Sequence, residues 1–183
     1  MTARIVILNG VGSAGKTSIA KALQEITTTP FLHVSMDVFC EMLPPAYFDH
    51  PDGVRFIAEQ VDGKPSVAIH SGPVMARLMD GMRHAIVALA ASGNDLIVDD
   101  VMLENEPDEY RRLLASYHVH WVGVMASLDV LETREKSRGD RMIGLARWQF
   151  DRVHAGRQYD LEIDTDNLTA VEAARHIQER FDL

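Results

Sequence analysis

An α/β fold, a parallel sheet covered by helices on both faces, is predicted by two features of this sequence. Short apolar runs alternate with helix-period segments along the chain, the pattern that such a sheet imposes. The first run, Ile5-Val6-Ile7-Leu8, leads directly into Gly10-Val11-Gly12-Ser13-Ala14-Gly15-Lys16-Thr17. That octapeptide matches the phosphate-binding loop pattern G-x-x-x-x-G-K-[ST] in full, in the strand–loop–helix setting the pattern requires.

The elements follow in order. Arg4 to Asn9 is the first strand, and the helix after the loop carries Ile19, Leu23 and Ile26 on one side until Thr27-Thr28-Thr29-Pro30 stops it. Phe31 to Met36 reads as a second strand ending at Asp37. A long helix begins near Pro73, with Met75, Met79, Met82, Ile86 and Leu89 at helical spacing, and closes at Ser92-Gly93-Asn94. Leu96-Ile97-Val98 is a third strand, running out at Asp99-Asp100. A helix from Pro107 to about Ser116 precedes a nearly all-apolar fourth strand, Val119 to Met125, and another helix starts near Leu128. Leu161-Glu162-Ile163 is a short fifth strand, and Thr169 to Phe181 a closing helix. The whole of 1–183 reads as one domain, without repeat or interdomain linker.

Two stretches break the alternation. Residues 38–70 hold turn signals at Pro44-Pro45, His50-Pro51-Asp52-Gly53 and Asp62-Gly63-Lys64-Pro65, and between them Val54–Ile57 and Val67–Ile69 can pair as a hairpin. Inserts of this length often cover a substrate. Residues 134–157 hold Arg134, Lys136, Arg138, Arg141, Arg147, Arg152 and Arg157, seven of the chain's 18 basic residues, against three acids. Arg134, Arg138 and Arg141 fall at i, i+4 and i+7, which aims three guanidinium groups from one helix face. Beside a phosphate loop this spacing points to an arginine lid over 134–147.

Bulk properties narrow the partners. A formal charge of −9 argues against a general affinity for nucleic acid or anionic membrane. The lone Cys40 excludes an internal disulfide and fits a reducing compartment. No apolar run reaches the length of a membrane span or a secretory core, so a cytoplasmic protein is expected. The histidines form no metal-binding spacing; His118 and His120 share a strand face, but no third ligand lies near in sequence.

The chemistry gathers at strand ends, where ligands bind in open α/β sheets. The backbone N–H groups from Gly10 through Ser18, with the positive end of the following helix, form an anion cradle. Lys16 supplies charge for the β and γ phosphates of a nucleoside triphosphate, and the Thr17 hydroxyl is a Mg²⁺ ligand. Leu96 to Asp100 has the form of a Walker B strand, whose carboxylate holds Mg²⁺ directly or through water. Asp99 and Asp100 point to opposite faces, and the pattern does not choose between them. Asp37 has two readings, the N-cap of a short helix through Glu41 and a general base that orients and deprotonates an attacking hydroxyl.

These motifs together resemble the chloramphenicol phosphotransferase family of bacterial antibiotic kinases, almost end to end. The resemblance is carried by Ile7-Leu8-Asn9-Gly10 into Ser13-Ala14-Gly15-Lys16, Asp37, Ser71-Gly72-Pro73, Ile97-Val98-Asp99-Asp100-Val101 and Trp121-Val122-Gly123-Val124. Arg134-Glu135, Arg138-Gly139-Asp140-Arg141, and Tyr159-Asp160 into Asp164-Thr165 complete it. It implies a P-loop domain of the nucleoside-monophosphate-kinase type with a five-stranded parallel sheet. The implied reaction carries the γ-phosphoryl of ATP to the primary hydroxyl of chloramphenicol. It also implies that Asp37 is the base, Lys16 the loop lysine, and Arg138 and Arg141 the phosphate-binding lid. The match is poorest over 40–70, where Leu43, Tyr47, Phe48 and Phe56 suit an apolar pocket, so the acceptor rests on the resemblance alone. A metabolic small-molecule or nucleotide kinase on the same fold is the first alternative. A regulatory nucleotide switch is the second, disfavoured by the absence of an Asn-Lys-x-Asp guanine-reading element.

Overall fold

The computed structural model describes residues 2–139 and 142–183, and in it five parallel strands form the central sheet. In chain order the elements are β1 (Arg4–Gly10), α1 (Lys16–Ile26), β2 (Phe31–Ser35), α2 (Met36–Cys40), β3 (Val54–Val61), β4 (Lys64–Ser71) and α3 (Pro73–Ala91). They continue with β5 (Asp95–Asp100), α4 (Glu106–Leu113), β6 (His118–Met125), α5 (Leu128–Arg138), α6 (Leu145–Val153), β7 (Leu161–Asp164) and α7 (Ala170–Phe181). A single 3₁₀ turn, Pro45–Tyr47, interrupts the insert. The sheet order is β2-β5-β1-β6-β7, with β1 at the centre between β5 and β6.

Strand period two divides the core. Val6, Leu8, Ile97, Val122 and Val124 face α1 and α7 and pack with Ile19, Leu23, Ala174 and Ile177. Ile5, Ile7, Leu96 and Val98 face the other way, onto Met82 and Ile86 of α3 and Tyr110 of α4. All of these are buried, which is why the strands read as continuous apolar runs rather than as alternating ones. The methionine stripe of α3 is split by depth. Met82 and Ile86 belong to the sheet core, while Met75 and Met79 pack with Leu43 and Val54 beneath the insert.

The insert is better ordered than its turn signals suggest. Strands β3 and β4 pair antiparallel in register from Val54↔Ser71 to Val61↔Lys64. Asp62 and Gly63 both take positive φ, 52° and 72°, the two-residue turn that an Asp-Gly pair favours. Two further boundaries differ from expectation. The second strand stops at Ser35 because the chain turns into α2. The arginine-rich stretch also contains a helix of its own, α6, set off by Gly144.

Candidate active site

The loop between β1 and α1 is built to leave backbone donors exposed. Gly15, in the N-cap position of α1, has φ 97° and offers no side-chain cap, so the first N–H groups of the helix remain available to an anion. Ser13 also takes positive φ, 66°. Lys16 is buried at 6% exposure, and its Nζ donates to the carbonyls of Gly10 at 2.8 Å and Val11 at 3.1 Å. Asn9, just upstream, ties the site to its surroundings. Its Oδ1 accepts the Met102 N–H at 2.9 Å, and its Nδ2 donates to the Tyr159 hydroxyl at 2.8 Å.

Strand parity separates the two aspartates. Asp99 shares the parity of Ile97 and lies on the α1 side, where Thr17 Oγ1 donates to its Oδ2 at 2.6 Å. Lys16 Nζ stands 3.9 Å from its other oxygen and His33 Nε2 3.5 Å from Oδ2. Burial alone would push the Asp99 carboxyl up, but His33, Lys16 and Thr17 together hold it below the ordinary carboxylate value. Asp100 takes the parity of Val98 and turns toward α4. There it accepts from the Tyr110 hydroxyl at 2.8 Å and the Val101 N–H at 2.7 Å. Burial pushes its carboxyl up. Asp99 is therefore the carboxylate set beside the Thr17 hydroxyl. The pair of hard oxygen donors fits Mg²⁺, which keeps most of its coordination for water and phosphate.

The arginine face is less uniform than its spacing suggests. Arg134 donates to the hydroxyl of Thr165 at 3.0 Å and to its carbonyl at 2.6 Å, so this guanidinium holds the loop after β7. Thr165 in turn lies 3.0 Å from the carbonyl of Ala14. Arg134 thus walls a pocket of about 460 Å³ with Ser13, Gly15, Ser18, Leu168 and Ala170, beside the start of α1. Arg138 borders this pocket and also the larger cleft described next. Arg141, the third arginine of the expected lid, lies outside the described residues.

The larger cleft, about 660 Å³, runs from Gly12, Lys16 and Thr17 past Asp37 to an apolar end. Leu43, Phe48, Val54, Phe56, Ile69, Met75 and Met79 line that end, and Met142 and Leu145 also line the cleft. Tyr47 is not among them; it packs against the Leu43–Met75 cluster, with its ring 5.2 Å from that of His50. Asp37 is half-buried in the first turn of α2, whose N-cap position belongs to Ser35. The helix-cap reading of Asp37 is thereby corrected: the chain enters the helix two residues earlier, because β2 ends sooner.

Several groups in the site had no signal in local sequence. Gln149 of α6 is 3% exposed, and its Oε1 accepts the Gly12 N–H at 2.7 Å, across 137 residues. Glu135 is equally buried and accepts the N–H groups of Gly144 at 2.7 Å and Ala146 at 2.8 Å. Gly144 has φ 102°, and its carbonyl accepts from Val67 of β4 at 3.0 Å. The start of α6 is thereby joined both to α5 and to the hairpin. Arg83 carried a usable signal, a charged residue on the apolar stripe of α3, which demands partners when buried. It has them in Glu106 and Glu109. Burial, and after it the charge of Asp100, raise Glu106 from the usual 4.5 to about 7. Among the described residues no group of three or more His, Cys, Asp or Glu is arranged to hold a metal, and no helix is long and apolar enough to cross a membrane.

Known proteins resemble this chain in sequence and in fold. The family model described as chloramphenicol phosphotransferase-like protein matches residues 3–182. A Mycobacterium tuberculosis protein, provisionally named an O-phosphotransferase in two strains, is 33% identical over 97% of this chain and 82% of its own length. Among solved structures, the APS kinase of M. tuberculosis in complex with AMPPNP and APS superposes with TM-score 0.70 at 15% identity, covering 100% of this chain and 99% of its own. An unliganded sugar kinase from Janibacter sp. gives 0.66 at 18% identity, covering 98% and 95%. The two structures establish the P-loop kinase fold, a five-stranded parallel sheet flanked by helices.

Proposed function

The chain belongs to the chloramphenicol phosphotransferase-like family, and on that premise we propose that it moves the γ-phosphoryl group of ATP to a hydroxyl of a small, partly apolar molecule. Chloramphenicol is the first acceptor to test. The observation that carries this reading is the single cleft in which the phosphate loop, Asp37 and the apolar end follow one another. A phosphoryl donor and an alcohol bound in it meet beside Asp37.

In this reading the nucleotide base and ribose occupy the smaller pocket along Arg134 and Leu168, and the phosphates lie on the loop N–H groups and Lys16. Arg138, shared by both cavities, meets the charge of the phosphoryl group in flight. Asp37 aligns the acceptor hydroxyl with phosphorus and receives its proton as the O–P bond forms. A carboxylate is a weak base for an alcohol, so the placement of Asp37 matters more than its basicity. Thr17 and Asp99 are the residues that would hold Mg²⁺, which when bound neutralises phosphate charge. Charge disfavours the nucleotide-kinase alternative. Among the described residues, the cleft is lined by the carboxylates of Asp37, Glu41, Asp99, Asp100 and Glu106 and by two cations, Lys16 of the phosphate loop and Arg138. An acceptor carrying its own phosphate would meet carboxylates.

The test is single-turnover transfer from ATP to chloramphenicol and to a panel of hydroxyl-bearing antibiotics and metabolites, with nucleotide binding followed separately. Asp37→Asn keeps size and hydrogen bonding but removes the charge, and transfer should fall ~10²–10⁴-fold while ATP affinity changes little. Normal transfer by Asp37→Asn refutes the base. Transfer by wild type to another alcohol but not to chloramphenicol removes chloramphenicol alone.

A further inference from the structure

The acceptor end of the large cleft has a polar floor that phosphoryl transfer itself does not need. Arg83, 7% exposed, contacts Glu109 at 2.8 Å, Glu106 at 3.3 Å and Asp80 at 3.9 Å, and its buried Nε has no hydrogen-bond partner among the described residues. One guanidinium thus serves three carboxylates. Glu106 is held from behind, with Oε2 accepting the Leu103 N–H at 2.7 Å and Oε1 facing Arg83. Its side chain retains 28% exposure and lines the cleft together with Asp100, Leu103 and Met79.

A carboxylate offers about four lone-pair sites, and the hydrogen bonds to Glu106 among the described residues come from Leu103 and Arg83. Capacity for further donors remains on the side that faces the cleft. A ligand entering the cleft takes the place of solvent on that side. A ligand that brings a donor restores the lost hydrogen bond, and one that brings only carbon leaves a half-buried carboxylate short of partners. The penalty for that loss is what makes such a group discriminating.

We infer that Glu106 is the residue that selects the acceptor, taking a hydrogen-bond donor group of that molecule, distinct from the hydroxyl that is phosphorylated, with Arg83 as the residue that positions it. The inference rests on the phosphotransferase reading for its use, though not for its geometry. The acceptor is therefore an alcohol with an apolar part for the Phe48–Phe56–Met75 end and a second hydroxyl, amide N–H or ammonium for Glu106.

Three probes share one phenyl ring and one primary hydroxyl and differ only in the second group: 3-phenyl-1-propanol has none, 3-phenyl-1,2-propanediol has a hydroxyl, and 2-amino-3-phenyl-1-propanol has an ammonium. Equilibrium binding of each to wild type, Glu106→Gln and Glu106→Asp is measured at pH 8, above the Glu106 value of about 7, alongside ATP-induced thermal stabilisation, which reports that each variant is folded. Wild type should bind the diol or the amino alcohol ~10–100-fold more tightly than the mono-alcohol. That preference should collapse in Glu106→Gln, whose amide turns a donor toward the cleft, and persist in part in Glu106→Asp. The diol and amino-alcohol arms tell a neutral donor from a cationic one. Equal binding of all three by wild type, binding of none, or a preference that survives in Glu106→Gln overturns the inference. A Glu106-dependent preference without phosphoryl transfer to any alcohol leaves it standing and overturns the kinase reading instead.

Discussion

Removing the Glu135 carboxylate should loosen the start of α6 and cost more stability than any surface charge could. The carboxylate is 3% exposed and receives two backbone donors, Gly144 N–H and Ala146 N–H, at 2.7 and 2.8 Å. A hydrogen bond to a charged acceptor contributes about 1.5–3 kcal/mol, so Glu135→Ala forfeits about 3 kcal/mol at the low end of two such bonds. For a chain of this length that corresponds to a fall in Tm of ~6–12 °C. Glu135→Gln keeps one carbonyl acceptor and should recover about half of the loss. Urea unfolding supplies the free energies. Hydrogen exchange at Gly144, Ala146 and Val67 supplies the location, since the Gly144 carbonyl holds the Val67 N–H. All three amides should exchange faster in Glu135→Ala, and the hairpin should loosen with the start of α6. A Glu135→Ala protein within about 0.5 kcal/mol of wild type, the range of an ordinary surface change, would sink the argument. So would unchanged exchange at Val67.

Two further expectations follow from the site. Arg138→Ala should lower kcat by ~10²–10³ with a smaller rise in the KM for ATP, because a group that borders both cavities meets transferred charge best in the transition state; Arg138→Lys should rescue it only partly, lacking the planar fork, and an alanine variant with wild-type kinetics would reduce Arg138 to a solvated charge. Glu106, raised from 4.5 to about 7, binds more protons in the folded than in the unfolded state across that window, so its contribution is fully present below pH 4.5 and is lost as pH rises through about 7. Glu106→Gln lacks this loss, and its stability relative to wild type should rise between pH 5 and pH 8; a pH-independent difference in urea unfolding would show that the carboxyl titrates normally.

Much of the site was legible in sequence because its parts are contiguous. Glycines, lysine and threonine lie within one octapeptide, flanked by the strand and helix that give them their conformation, and short-range sterics decide such a segment. The hairpin of the insert was legible for the same reason, since an Asp-Gly pair between two apolar runs specifies its own turn. The apolar runs of β1 and β5 likewise marked two of the inner strands of the sheet, for a strand buried on both faces cannot be polar.

What the tertiary structure alone decided concerns parity and distance. Residues 99 and 100 are both acidic, and a period of two leaves open which one meets the loop until helices are assigned to faces. Packing α1 on the Ile97 side gives Asp99 to Thr17, and packing α4 on the Val98 side gives Asp100 to Tyr110. Helical spacing put Arg134 and Arg138 on one face, yet a turn of rise carries one to Thr165 and the other to the wall between two cavities. Gln149 reaches Gly12 across 137 residues and Thr165 reaches Ala14 across 151. Such contacts leave no local trace, because a glutamine on a helix has the same propensity whether its amide meets water or a phosphate loop. The loop announces what it binds through its own backbone. Which carboxylate, which arginine and which floor face that ligand is set by the way the sheet places its helices.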